Sequence, residues 1–253
     1  MDGGTVNLTR ADTDRGWIAH LEIDHTRRRN AIGPLVIAAL QERCSEITGD
    51  PDLRAVTLRG ADGFFAAGAN VKVMATLNPE SARAFITSLH HAIDAVRRLP
   101  VPVIAVLQGR CYGAAMELAA ACDMRIADTS LIAGMPEVRV GLPSVIEACL
   151  LPRLVGWGRT SELLLTGRDV DAQECRDIGF VERLVAPAAL DAGLQGWLDD
   201  ILAAAPHAVR NQKSVMQGWE RDLSAGIAAS IAAFGTSFET GEPHTYLPGA
   251  GRS

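Results

Sequence analysis

The chain has 253 residues, 48% of them hydrophobic and 21% charged, which suits one sizeable domain, or a core with a short appendage, and speaks against disorder except at the ends. Its formal net charge is −6, so it offers no basic footprint for nucleic acid, and an anionic ligand must be held by local cations or backbone N–H groups. Five scattered cysteines without a CxxC pair and six histidines without HExxH predict no metal site and suit a reducing compartment.

Residues 1–15 are polar and carry no apolar signal core. Residues 17–23 (WIAHLEI) alternate as a strand does. Arg27, Arg28 and Arg29 follow as a basic turn. Helical spacing covers 34–47, with Pro34 suited to a first turn. A second strand is expected at 53–58, followed by a small-residue loop, Phe64-Phe65-Ala66-Ala67-Gly68-Ala69-Asn70. A long helix is expected at 81–99, closed by Pro100. A buried strand follows at 101–107.

Gly109 and Gly113 flank an expected turn into a helix at 114–122. Then come a strand at 124–127, a loop at 135–142, and helices at 145–154, 161–166 and 171–177. The rest is read as mostly helical to about residue 238, with a loose tail at 243–253 rich in Gly and Pro. Strands alternating with helices make this an α/β chain. The longest apolar stretch, 99–107, is too short to span a bilayer. The expectation is a soluble cytoplasmic protein with no membrane partner.

Three segments could carry chemistry. In Gly109-Arg110-Cys111-Tyr112-Gly113-Ala114-Ala115-Met116-Glu117, a strand runs through small residues into a helix start. The first N–H groups of a helix lack intrahelical partners and sit at the positive end of its dipole. Glu117 lies about one turn inside. Spacing alone leaves open a helix start kept small for packing, with Glu117 exposed on the surface. The loop 65–72 again offers unencumbered amides, or is a plain turn. In 135–143, Glu137 stands among apolar residues, where burial would raise its pKa and suit acid/base work. The alternative there is a loop carboxylate paired to Arg139.

Together, in this order and spacing, these segments resemble the crotonase (enoyl-CoA hydratase/isomerase) superfamily. The likeness runs from about residue 17 to about 242. It rests on the FxAGAxxxK-like loop, the GxxxGxxxELAxxCDxRIA-like stretch at 109–127 and the PExxxGLxP-like stretch at 136–143. Downstream, 151–156 (LPRLVG) and 163–167 (LLLTG) agree as well.

The resemblance implies a spiral of ββα units over residues 1–195 with an acyl-CoA site. It also implies a helical C-terminal region, 196–253, used for trimerisation. It implies an enzyme without a separate cofactor, CoA being part of the substrate, that assembles as a homotrimer or a dimer of trimers. The N–H groups of Ala69 and Ala114 would form an oxyanion hole for the thioester oxygen, each donor contributing about 3–4 kcal/mol to the transition state.

By the same likeness, Glu117 would activate the water added at Cβ, and Glu137 would handle the proton at Cα. Arg27, Arg28, Arg29 and Lys72 would meet the CoA phosphates. The loop Ala67, Ala69, Asn70, Val71 and Lys72 would hold the adenine, and Ala114 the thioester. Keeping both glutamates favours a hydratase over an isomerase, which needs one base. Other acyl-CoA chemistries and a non-catalytic CoA- or RNA-binding relative are the further alternatives. A serine hydrolase lacks its GxSxG. Met74, Met116, Met135 and Leu142 are expected around the acyl chain.

Two departures from the family pattern stand out. Asn70 replaces the usual acidic residue, which removes a charge from the loop. At the C-terminus, Tyr246-Leu247-Pro248-Gly249 stands where a Phe-x-x-Lys-Arg-like helix is usual.

Overall fold

The computed structural model describes residues 3–218, 223–239, 241 and 243–244. The strands are β1 (Thr5–Thr13), β2 (Gly16–Asp24), β3 (Leu53–Gly60), β4 (Val103–Leu107), β5 (Arg110–Tyr112), β6 (Met124–Asp128), β7 (Ile132–Gly134), β8 (Asp169–Asp171) and β9 (Arg183–Val185). The first seven helices are α1 (Pro34–Thr48), α2 (Val71–Met74), α3 (Pro79–Arg97), α4 (Ala114–Ala121), α5 (Leu151–Val155), α6 (Trp157–Thr166) and α7 (Ala172–Asp177). Among the described residues these are followed by α8 (Leu190–Ala203), α9 (Pro206–Gly218) and α10 (Leu223–Ser237).

A six-stranded sheet runs β1-β2-β3-β4-β6-β9, antiparallel only between β1 and β2. A three-stranded sheet runs β5-β7-β8. The continuous apolar run of β4 (VIAVL) is buried throughout, as a parallel strand covered on both faces must be. On one side α8 covers Ile18, Ala55, Ile104, Val106 and Ile126 with Leu190, Leu194 and Leu198. On the other lies the main core, into which α1, α3 and α4 pack. The start of α3 is fixed by a capping box, Asn78 and Ser81 each accepting from the other's backbone N–H, with Pro79 in the first turn.

The structure corrects several sequence expectations. Residues 1–15 hold β1, a largely exposed edge strand registered on β2 from Thr5↔Asp24 to Thr13↔Gly16. The segment between Gly109 and Gly113 is a strand, β5, rather than a turn. It forms because Cys111 bridges Ala66 and the strand pairs with β7. The loop at 135–142 contains a 3-10 turn, Pro136–Val140. The helix expected at 145–154 is a 3-10 turn, Ile146–Leu150, followed by α5. The helical remainder is interrupted by β9. Apart from Pro243 and His244, the expected tail lies outside the described residues, including Tyr246-Leu247-Pro248-Gly249. No described helix is long and apolar enough to cross a membrane.

Candidate active site

Helix α4 (AAMELAAA) is buried at every position, and its alanines let neighbouring elements approach closely. Glu117 is its one charged residue and is 3% exposed. The open alternative of a surface carboxylate is thereby overturned. Burial raises the Glu117 pKa well above the ordinary carboxylate value, and Glu137 and Glu147 push it further. Its anion is only partly compensated, by the Ala148 N–H, which donates to Oε1 at 3.2 Å, and by the Val145 N–H. A buried carboxyl group with so little compensation costs stability, the usual mark of a group kept for chemistry.

Glu137 sits on the 3-10 turn Pro136–Val140, partly open to the cavity. Ser144 Oγ donates to its Oε2 at 2.9 Å. Burial raises its pKa also, against the pull of Ser144. The expected alternative, a pair with Arg139, does not form: Arg139 Nε donates to Thr166 O at 3.1 Å. The Glu137 carboxylate lies against Gly113, where a Cβ would collide with Oε1. Gly113 precedes α4 with φ 52° and accepts the Glu117 N–H at 3.0 Å. Both glutamates line the same cavity, and the charge of Glu137 acts on Glu117.

The loop carrying Ala69 is zipped onto β5 and onto the segment before α1. Phe65 N donates to Gln108 O at 2.9 Å, Ala66 N to Arg110 O at 3.0 Å and Ala67 N to Arg29 O at 2.9 Å. Ile32 N donates to Gly68 O at 2.8 Å, and Asn70 N to Ile32 O at 2.9 Å. Gly68, at φ 92°, stands so close to β5 that a Cβ there would lie 2.6 Å from Tyr112 O and 3.9 Å from Ala114 N. Ala69 and Ala114 are thus brought to one wall of the cavity. Asn70 keeps the loop pinned without the usual charge, its Oδ1 accepting the Lys72 N–H at 3.1 Å and capping α2.

The cavity is ≈160 Å³ and mostly apolar. Ala67, Gly68, Ala69, Val71, Ala114, Glu117 and Glu137 all line it, as do Met74 and Leu142. Met116 and Met135 do not. Both are fully buried in the main core, a correction to their expected place around the acyl chain.

Helix α2 lines this cavity with Val71 and Met74, and with Lys72 and Val73 it lines an open cleft of ≈810 Å³ that also holds Asp24, Arg27, Arg28 and Asn70. Arg29 stays out of that cleft. Its backbone is left-handed, φ 51°, and its carbonyl ties down Ala67. Among the described residues, no cluster of His, Cys, Asp or Glu is arranged to hold a metal.

Sequence reasoning missed several lining residues. Phe85, Ile86 and Leu89 come from α3, and Phe234 comes from α10 in the C-terminal region. Tyr112 also lines the cavity, and Arg110 Nη1 donates to its hydroxyl at 2.6 Å. The helical periodicity of α3 signals an apolar face without saying that part of it borders a cavity. Also missed was the turn that holds Glu117. In it Ile146 is fully buried with φ 42°, a conformation that costs a β-branched residue roughly 1–3 kcal/mol.

Comparison with known proteins shows the family and the fold. The family model described as enoyl-CoA hydratase/isomerase matches residues 14–245. YngF of Bacillus subtilis is 32% identical over 226 residues, covering 88% of this chain and 87% of its own. The short-chain-enoyl-CoA hydratase of Clostridium acetobutylicum is 31% identical over 228 residues, covering 89% and 87%. The crystal structure of an enoyl-CoA hydratase from Bacillus anthracis superposes with a TM-score of 0.80 at 29% identity, covering 94% of this chain and 89% of that one. With its α/β fold, its mixed sheets and a family match over nearly its whole length, the chain belongs to the enoyl-CoA hydratase/isomerase (crotonase) superfamily.

Proposed function

We propose that this protein is an enoyl-CoA hydratase that adds water reversibly, in the syn sense, to a 2-enoyl-CoA thioester. The observation that carries this reading is that two buried glutamates, Glu117 and Glu137, line one cavity together with Ala69 and Ala114. The family supplies the substrate class, acyl-CoA. The thioester oxygen accepts from the two amides, which stabilise the enolate as charge moves onto that oxygen. The ionised carboxylate of Glu117 takes a proton from water as its oxygen bonds to Cβ. Glu137, protonated, delivers a proton to Cα.

The reaction needs one proton shared between two carboxyls. Burial raises both pKa values, and Glu137 raises that of Glu117 further, so the two titrate as a coupled pair. An isomerase needs a single base, and a second buried carboxylate would be a cost without a use.

Arg27, Arg28 and Lys72 in the open cleft suit the CoA phosphates, with Ala67 to Lys72 spanning from there to the thioester. A cavity of about 150 Å³ holds one benzene ring. The ≈160 Å³ here therefore suits a short acyl chain of up to about six carbons. A trimer or dimer of trimers using residues 196–253 is part of the same reading, and light scattering of the purified protein tests it.

The test follows crotonyl-CoA and longer 2-enoyl-CoAs by loss of enone absorbance, comparing wild type with Glu117→Gln and Glu137→Gln. Turnover that collapses in both variants is the expected result. A wild type inert on every 2-enoyl-CoA would sink the hydratase reading and make 3-enoyl-CoA isomerisation the next assay.

A further inference from the structure

Glu147 is a third buried glutamate beside the site, and the proposed hydration does not use it. Its side chain is 0% exposed, and among the described residues its Oε2 has no hydrogen-bond partner. Its Oε1 lies 2.7 Å from Nδ1 of His90 on α3, whose side chain is 15% exposed. The turn that carries Glu147 is the same one that donates the Ala148 N–H to Glu117 Oε1. The preceding residue, Ile146, is held left-handed there. A strained turn persists only where its surroundings over-determine it.

We propose that His90 and Glu147 form a positioning pair for Glu117. The pair clamps the strained turn whose amide holds the Glu117 carboxylate, and it sets a second buried carboxyl group whose charge acts on Glu117.

The charges around the pair are few. Glu137 and Glu147 both act on Glu117, and the Val145 and Ala148 amides lie against it. Cys149 feels both Glu147 and Glu117. On α3, Asp94 and Arg97 act on His90 and Glu147, and the His91 ring is 5.6 Å from the His90 ring. Helix α10, which packs over the turn, has no ionisable residue, and Arg153 on α5 is exposed.

The hydrogen bond to Glu147 raises the His90 pKa, and burial raises that of Glu147 while His90 pulls it down. The two therefore share a proton. With it the pair is neutral. Once the proton is lost, the remaining negative charge opposes ionisation of Glu117. The proton affinity of Glu117 is in this way tied to a histidine near the surface.

The test titrates the glutamate carboxyls and the histidine rings by NMR in the free protein, with Glu117 assigned from Glu117→Gln. In Glu147→Gln, the Glu117 and His90 midpoints should each fall by about half a pH unit or more. Midpoints within about 0.2 unit of wild type would overturn the proposal. Should Glu147→Gln fail to fold, His90→Gln takes its place. It keeps a donor but loses the titrating ring, so the Glu147 midpoint should rise by a similar amount, and an unmoved midpoint is again fatal.

A kinetic arm rests on the hydratase reading. The kcat of Glu147→Gln should fall by about fivefold or more, with KM within about threefold and the pH limb moved to lower pH. A uniform loss with an unmoved limb would make the pair merely structural. If wild type hydrates no enoyl-CoA, the hydratase reading alone fails, and the titration still decides the pair.

Discussion

Gly113 and Glu137 touch so closely that no side chain fits between them. A Cβ on Gly113 would overlap Glu137 Oε1, and the φ of 52° is one that residues with a Cβ rarely adopt. This contact joins the turn of Glu137 to the helix of Glu117. Gly113→Ala should therefore push Glu137 aside and strain the start of α4. We expect kcat with a 2-enoyl-CoA to fall by about a hundredfold, with roughly 1–3 kcal/mol lost in stability. Near-native turnover in this variant would show that the glutamates need no such approach.

The stability of the protein should carry the cost of Glu117. Its folded-state pKa is raised above the ordinary value of 4.5. The folded state thus binds the extra proton, and stability is lost as pH rises from about 4.5 through the raised pKa. Glu117→Gln removes this loss. Compared by urea denaturation, the variant should gain on wild type from pH 5 to pH 8. A difference independent of pH would contradict the raised pKa.

The cationic cleft should act on binding rather than on chemistry. Arg28→Ala and Lys72→Ala should each raise KM by roughly three- to tenfold with kcat unchanged, and the effect should shrink as salt is added. Arg29→Ala, outside the cleft, should change KM by less than about twofold. Equal effects at Arg28 and Arg29 would remove the distinction that the structure draws between them.

Two methionines should separate pocket from core. Met74 lines the cavity, so Met74→Ala should move the preferred acyl chain upward by roughly two carbons. Met116 is fully buried away from it, so Met116→Ala should cost about 2–5 kcal/mol of stability and leave chain preference alone. A chain-length profile across the enoyl-CoA series, read with thermal denaturation, checks both.

Elements with a long apolar period were legible in the sequence. Strands β2, β3 and β4 and helices α1, α3 and α4 stand close to where periodicity and punctuation put them. Strand β1 was not legible, because an exposed edge strand such as TVNLTRADT has almost no buried face to leave a pattern. Strands β5, β7, β8 and β9 have three residues each, too few to show alternation, and they exist only through their partners.

Taken alone, the sequence determined the α/β class and the family likeness, and the likeness singled out Glu117 and Glu137. These follow from composition, local spacing and motif order, which are properties of neighbours along the chain. Tertiary structure alone decided that Glu117 is buried, that Glu137 presses on Gly113, that Arg29 leaves the cleft, and that Met116 belongs to the core. It also brought in Phe234 and joined His90 to Glu147. Burial and ionisation are set by what packs around a group, and those neighbours come from segments far apart in the chain.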